Sequence, residues 1–231
     1  MRSLKILAVL SFLMIGTAQA AFIGTFELVD NPGGKDGKLK KLKNDFAFKD
    51  KSGVGWEAAA GLETDGASIP FWAQPVIGQP YDGSYIKAAV LHDHYCDRKV
   101  RDWKKTHRMF YDALIEQGVP KIKAGVMYGA VMIGGPTWTE VNVGKKCKLT
   151  DVCIRTVGGD RARMVWNQRP AVYDQIGDLA ERLRKIEQRL NAAGDFSAED
   201  VEAIAVDLAP ENSNIRQPAH AELEEISLPT K

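Results

Sequence analysis

The chain has 231 residues, 45% of them apolar and 26% charged, and its 31 Lys and Arg against 30 Asp and Glu give a formal net charge of +1. That is ordinary globular composition, sufficient to bury a real core, and it excludes a disordered or collagen-like chain. Near-neutrality also excludes the net basic excess of a nucleic-acid binder, so no nucleic-acid partner is expected.

Arg2 and Lys5 precede an apolar run over residues 6–15, which is followed by Ala18-Gln19-Ala20. A charged start, a short apolar run and a small-residue site read as a secretory signal over residues 1–20. Cleavage after Ala20 would leave about 210 residues, exported to a periplasm or secreted. The run is shorter than the roughly 20 residues that span a bilayer, and no later stretch is long and apolar enough, so a mature chain without a transmembrane segment is expected.

Residues 21–170 read as the main domain. From 22 to 60, short alternating runs are punctuated by Asn31-Pro32-Gly33-Gly34 and Lys51-Ser52-Gly53, the pattern of β-hairpins. Residues 35–51 are rich in Lys but interleaved with Asp36, Asp45 and Asp50, which predicts a solvated loop and strand edge. The strands deliver the chain into Thr64-Asp65-Gly66-Ala67-Ser68-Ile69-Pro70. There Gly66 permits an unusual backbone angle, Asp65 and Ser68 can bond local amides, and Pro70 fixes the exit.

Three helices follow. Ser84 is a candidate cap for the first, which runs to about Cys96 and carries Tyr85, Ala88, Ala89, His92, Tyr95 and Cys96 on one face. Asp93, about 100° round the axis, reaches only an adjoining wall. The second, over 102–117, has an apolar stripe of Trp103, His107, Phe110, Tyr111 and Leu114, so one imidazole sits on its buried face. The third, over 121–133, stops at Gly134-Gly135-Pro136.

Beyond Trp138 a hairpin is expected, closed by a disulfide between Cys147 and Cys153, which flank five residues. Cys96 is left odd and reads as a buried thiol near the site. Residues 171–231 read as a helical extension with a loose acidic tail. Ile176, Leu179, Leu183, Ile186 and Leu190 recur by three and four, a seam that either packs back on the domain or forms a homodimer through residues 175–193. Ser197-Ala198-Glu199-Asp200 opens a short capped helix.

Three of the four histidines lie between positions 92 and 107. If the two helical stripes face each other, His92 and His107 meet with Asp93 beside them and the Asp65 loop near. Two imidazoles in one apolar interface require an acidic partner or a metal, because both charged would repel and both unpaired would leave buried polar atoms unsatisfied. His92, Asp93 and His107 are therefore the candidate catalytic residues. Asp93, Asp65 and His107 are the candidate metal ligands, and Ser68, Trp72 and Tyr95 the candidate substrate contacts. Two imidazoles with one carboxylate suit zinc or another transition metal with a position left for water.

The Asp65 loop, the helix Ala89-Val90-Leu91-His92-Asp93-His94-Tyr95, the stretch from Phe110 to Gly118 and Gly134-Gly135-Pro136-Thr137-Trp138 together resemble the family DUF1353 of tailed phages and bacteria, over roughly residues 22–138. The family supplies no activity to carry over. The His-Asp-x-x-Tyr helix preceded by an Asp-Gly loop is also similar to small secreted phospholipases A2. That similarity implies His92 as the base, Asp93 with the Asp65-Gly66 loop holding calcium, and Tyr95 as an orienting phenol. His107 stands where an orienting carboxylate would be.

The expected architecture is α+β: N-terminal β-hairpins packed on a three-helix unit, a disulfide hairpin, and a helical C-terminal extension. The functional readings are a metal-assisted hydrolase of a lipid or cell-envelope substrate using a calcium or zinc ion, a non-catalytic envelope or phage-derived module tied together by the His-Asp cluster, and a coiled-coil adaptor.

Overall fold

The computed structural model describes residues 19–34, 39–67, 79, 81–146, 153–155, 161–212 and 215, with only the backbone described over 139–168. Most of the expected signal, Ser68, Trp72, Cys147 and the acidic tail lie outside the described residues.

The N-terminal region forms two small antiparallel sheets. In the first, β1 (Ala21–Gly24) and β5 (Gly55–Ala58) flank β4 (Phe46–Lys49). Phe46, Phe48, Trp56 and Ala58 alternate inward and are buried, as a half-buried strand pair requires. The β4–β5 turn is held by Asp50, whose carboxylate accepts from the Ser52 and Val54 amides, the Ser52 hydroxyl and the Trp56 indole.

The second sheet has the order β2 (Leu28–Asp30), β3 (Lys40–Leu42), β6 (Glu63–Thr64). The Lys-rich stretch is thus more than a loop and an edge. Its central strand is β3, anchored by Leu42 at 1% exposure, while Lys41 is exposed and Lys40 is half-buried against Asp30.

Helices α1 (Ile86–Arg98), α2 (Trp103–Glu116) and α3 (Lys121–Gly134) form the predicted three-helix unit. Ser84 does not cap α1; its amide donates to Asp82, and the boundary residue is Tyr85. The start of α1 is tied instead to the end of α2. The Gln117 side chain accepts from the Ala88 amide and donates to the Gly83 carbonyl, which locks the two helices side by side. Asp102 caps α2 by accepting from the Lys104 and Lys105 amides, and Gly118 turns the chain out at φ +88°.

After α3 comes a third antiparallel sheet in which β9 (Arg161–Arg169) lies between β7 (Thr137–Lys146) and β8 (Cys153–Arg155). The expected β7–β8 hairpin is therefore not formed. The two strands bracket β9 instead of pairing with each other, and Cys147 of the expected bridge lies outside the described residues. Among the described residues the only cysteine with a described side chain, Cys96, is free.

The C-terminal third returns to the domain. Leu179, Leu183, Ile186 and Leu190 of α4 (Leu179–Ala193) are all buried, and α4 packs on α3, as does α5 (Ala198–Leu208). Gly125 and Gly129 of α3 make the approach possible. A Cβ on either would stand 2.6 Å from Leu190 or 2.5 Å from Ile186. The apolar seam of α4 therefore packs back on the domain. Ser197 and Asp200 form the predicted capping box on α5.

Among the described residues, no helix is long and apolar enough to cross a membrane. Ile186→Ala is expected to cost about 2–5 kcal/mol, whereas exposed Lys185→Ala changes stability by no more than about 0.5 kcal/mol, both read from denaturant midpoints. Equal costs would show that the seam does not rest on α3.

Candidate functional site

The facing stripes of α1 and α2 do what their sequence spacing predicts. His92 Nε2 lies 2.9 Å from His107 Nδ1, and the two residues are 4% and 0% exposed. Phe110 packs on the His92 ring at 4.7 Å between centroids, and Trp103 and Trp138 stand edge-on to His107 at 5.4 and 6.4 Å. The imidazoles are held from three sides by aromatic surface, so their positions are fixed by packing as much as by their mutual hydrogen bond.

Asp93 approaches the other nitrogen of His92, with Oδ1 3.3 Å from Nδ1, and its side chain is 31% exposed. His107 Nε2 is buried with no partner in hydrogen-bond geometry. It faces the Gly135-Pro136 corner, where a Cβ on Gly135 would stand 3.1 Å from it and 2.3 Å from the Val131 carbonyl oxygen. Burial, with the neighbouring His92 second, pushes His107 well below the ordinary imidazole range, and the Pro136 backbone opposes the shift only in part.

Cys96, one helical turn beyond His92, adds a third donor, with Sγ 3.5 Å from His92 Nε2. Burial, followed by the charges of Asp93 and Asp97, holds its thiol well above the ordinary range. The ligand atoms of His92, Cys96 and His107 all lie within 4.8 Å of one another, and all three residues are buried.

His92 and Cys96 of this cluster line a cavity of about 390 Å³, also lined by Asp65, Asp93, Asp97, Pro136 and Tyr173, with His107 buried behind His92. Tyr173 belongs to the 3₁₀ turn Tyr173–Gln175 that follows β9. It is fixed there because the Val172 amide donates to the Gly134 carbonyl and the Tyr173 ring rests on Gly134. Burial, then Cys96 and Asp93, raise its phenol above the ordinary range.

Of the predicted site residues, His92, His107 and Asp93 are brought together, and Asp65 lines the same cavity. Gly66 takes φ +93° as the loop requires, but its amide is held by the Thr64 hydroxyl. Asp65, Asp93 and His107 do not gather around one point; among the described residues the sole cluster of three or more potential ligands substitutes Cys96 and His92 for the two carboxylates. Tyr95 turns to the N-terminal sheet, where its hydroxyl accepts from the Glu57 amide and its ring meets Trp56 edge-on. Its place is between α1 and β5. Cys96 and Tyr173 are the site members not assigned from sequence. The i, i+4 spacing from His92 is a signal that could have found Cys96, whereas no local pattern marks Tyr173.

Residues 40–131 match the family described as "Protein of unknown function (DUF1353)", a segment that includes His92, Cys96 and His107. The uncharacterized protein y4iH of Sinorhizobium fredii is 40% identical over 192 residues, which cover 83% of this chain and 80% of that protein. The uncharacterized protein y4jT of the same organism is 44% identical over 133 residues, covering 54% of this chain and 38% of its own length. No solved structure matches the chain.

The fourth histidine gives a pH signature. His94 accepts from Arg98 through Nε2 at 3.4 Å, and burial, with Arg98 second, lowers its pKa from 6.5 to about 4. Between those values the unfolded chain binds a proton that the folded chain refuses, so stability falls as pH drops from 6.5 towards 4. His94→Gln is expected to flatten that part of a stability-against-pH curve measured in urea; an unchanged slope would contradict the assignment.

Proposed function

The chain belongs to the DUF1353 family, and from that premise we propose that it is an exported metal-assisted hydrolase acting on an ester or amide of the cell envelope, with its chemistry at the pocket beside His92 and His107. The observation that carries this reading is the convergence of His92 Nε2 and His107 Nδ1, 2.9 Å apart, with His92 lining a cavity large enough to admit a substrate group. A network whose sole purpose was to tie α1 to α2 would need neither the cavity nor the carboxylates beside it.

His92 and His107 would hold a divalent cation, which when bound would polarise the substrate carbonyl and acidify a water. The chain's own residues do the rest. Asp93 orients His92 through Nδ1 and takes one proton from the attacking water. The hydroxyl oxygen bonds to the acyl carbon, the acyl C–O or C–N bond breaks, and the leaving oxygen or nitrogen takes the proton back from Asp93. The products are a carboxylic acid and an alcohol or amine.

The pocket's charge narrows the substrate. Among the described residues its lining carries Glu63, Asp65, Asp93 and Asp97 and no Lys or Arg. Such a wall repels an anionic phospholipid headgroup and favours a neutral or amine-bearing group. The charged start, apolar run and small-residue site over residues 1–20 support export, which would put the chain beside the envelope.

The purified chain, supplied with divalent metal, is expected to release new carboxyl groups from extracted envelope material, and a chelator is expected to stop the release until metal is returned. Asp93→Asn is expected to lower kcat about 10²–10⁴-fold with little change in Tm. Turnover indifferent to both the chelator and Asp93→Asn, or none on any envelope fraction, overturns the proposal.

A further inference from the structure

The geometry points to a zinc centre whose protein ligands are His92 Nε2, His107 Nδ1 and the thiolate of Cys96, with the fourth position open to the pocket. This deepens the hydrolase reading by naming the ligand set and the class of metal, but the centre stands on its own geometry.

The first argument is a count of protons. The two facing nitrogens share one hydrogen bond, so one must carry a hydrogen and the other a lone pair. If His92 donates and both rings are neutral, its Nδ1 presents a bare lone pair to the Asp93 carboxylate at 3.3 Å. If His107 donates, its own Nε2 is left as a bare lone pair, fully buried and without a donor. With both rings neutral, either arrangement leaves a polar conflict, and a positive charge shared by the pair relieves it, whether that charge is a proton on His92 facing Asp93 or a metal ion.

A cation between the two facing nitrogens removes both conflicts. Each ring then carries its hydrogen on the outer nitrogen, so that His92 Nδ1–H donates to Asp93 and His107 Nε2–H faces the Pro136 backbone. Metal-bound imidazoles are normally braced in this way, by a carboxylate or a backbone carbonyl on the far nitrogen.

The second argument is distance. Tetrahedral zinc with Zn–N near 2.05 Å and Zn–S near 2.3 Å requires N···N edges of about 3.3 Å and S···N edges of about 3.6 Å. Cys96 Sγ and His92 Nε2 are already 3.5 Å apart. The imidazole nitrogens, drawn to 2.9 Å by their hydrogen bond, need open by roughly 0.4 Å, and the remaining edge, Cys96 Sγ to His107, lies within 4.8 Å and has to close by up to about 1.2 Å.

The third argument is donor chemistry. Two imidazoles and one thiolate are borderline-soft ligands that favour zinc over calcium or magnesium, and three protein ligands with one open position is the coordination of catalytic rather than structural zinc. Cys96 would bind as the thiolate, so the thiol proton leaves to solvent as the Zn–S bond forms. Cys96 and His92 both line the cavity, which places the open position on the substrate side, with Tyr173 and Asp93 around it.

The test uses the full chain purified without chelator. Elemental analysis is expected to find about one zinc per chain, and replacement by Co²⁺ is expected to give a thiolate-to-cobalt charge-transfer band in the near ultraviolet. Cys96→Ser should abolish that band and weaken zinc binding at least about tenfold, while the double variant Cys147→Ser, Cys153→Ser keeps both. If Cys96→Ser does not fold, protection of the Cys96 thiol from alkylation by added zinc in the double variant gives the same answer. A chain that takes up no metal, a band that survives Cys96→Ser, or no protection of the thiol overturns the assignment. A zinc-loaded chain with the band but no hydrolysis leaves the centre standing and removes only the hydrolase.

Discussion

Two imidazoles pressed together inside an aromatic cage are the constraint on which the rest of the structure depends. Their contact exists only because α1 and α2 lie side by side in one register. That register is set at both ends of the pair: Gln117 bridges the end of α2 to the start of α1, and Asp102 caps α2 just after α1 has finished. A shift of one residue in either helix would turn His92 or His107 about 100° away from the interface. The interface is therefore specified by ordinary packing and capping, and the polar contact is imposed on it.

The remaining elements act as buttresses of that contact. The N-terminal sheet supports the far side of α1, where Tyr95 meets Trp56 and Glu57 and where the Arg101 guanidinium lies 4.3 Å from the Trp56 ring centre. Helix α3 supports α2, and its end at Gly134-Gly135 presses directly on His107 and carries Tyr173 into the cavity. Helices α4 and α5 then cover α3, which is buried along most of its length and could not face solvent uncovered. The C-terminal third is in this sense part of the site's support, because it fixes the helix that fixes His107.

The sequence made the helical unit legible because its apolar stripes keep a period of three and four and its ends carry Asp102, Gly118 and Gly134-Gly135-Pro136. The meeting of His92 with His107 was legible for the same reason. The N-terminal sheets were legible as hairpins but not in their full pairing, since β3 hides one inward Leu42 among lysines. Ser84 satisfied the composition of a cap, yet the groups at the start of α1 are satisfied by a side chain 29 residues away from Ala88, which no local pattern can announce. The seam of α4 was readable as apolar, but its partner was not. The answer lay in the four-residue spacing of Gly125 and Gly129 on α3, which is where Leu190 and Ile186 seat. Cys96 is legible as a buried thiol near the site, but the odd cysteine count says nothing of its chemistry, which follows from lying one turn beyond His92. Tyr173 reaches the pocket through the third sheet, a long-range consequence of the fold.

What unites the pieces is electrostatic. Two facing imidazoles, a buried thiol and a carboxylate about one-third exposed converge in one apolar interface, a donor set that a shared cation between them would satisfy. The most direct measurement is a crystal structure of the zinc-supplied chain with anomalous scattering collected on both sides of the zinc edge. The account predicts one edge-dependent peak between the rings, about 2.0–2.1 Å from the two nitrogens and about 2.3 Å from Cys96 Sγ. An interface with the rings still in direct hydrogen bond and no such peak between them would contradict it.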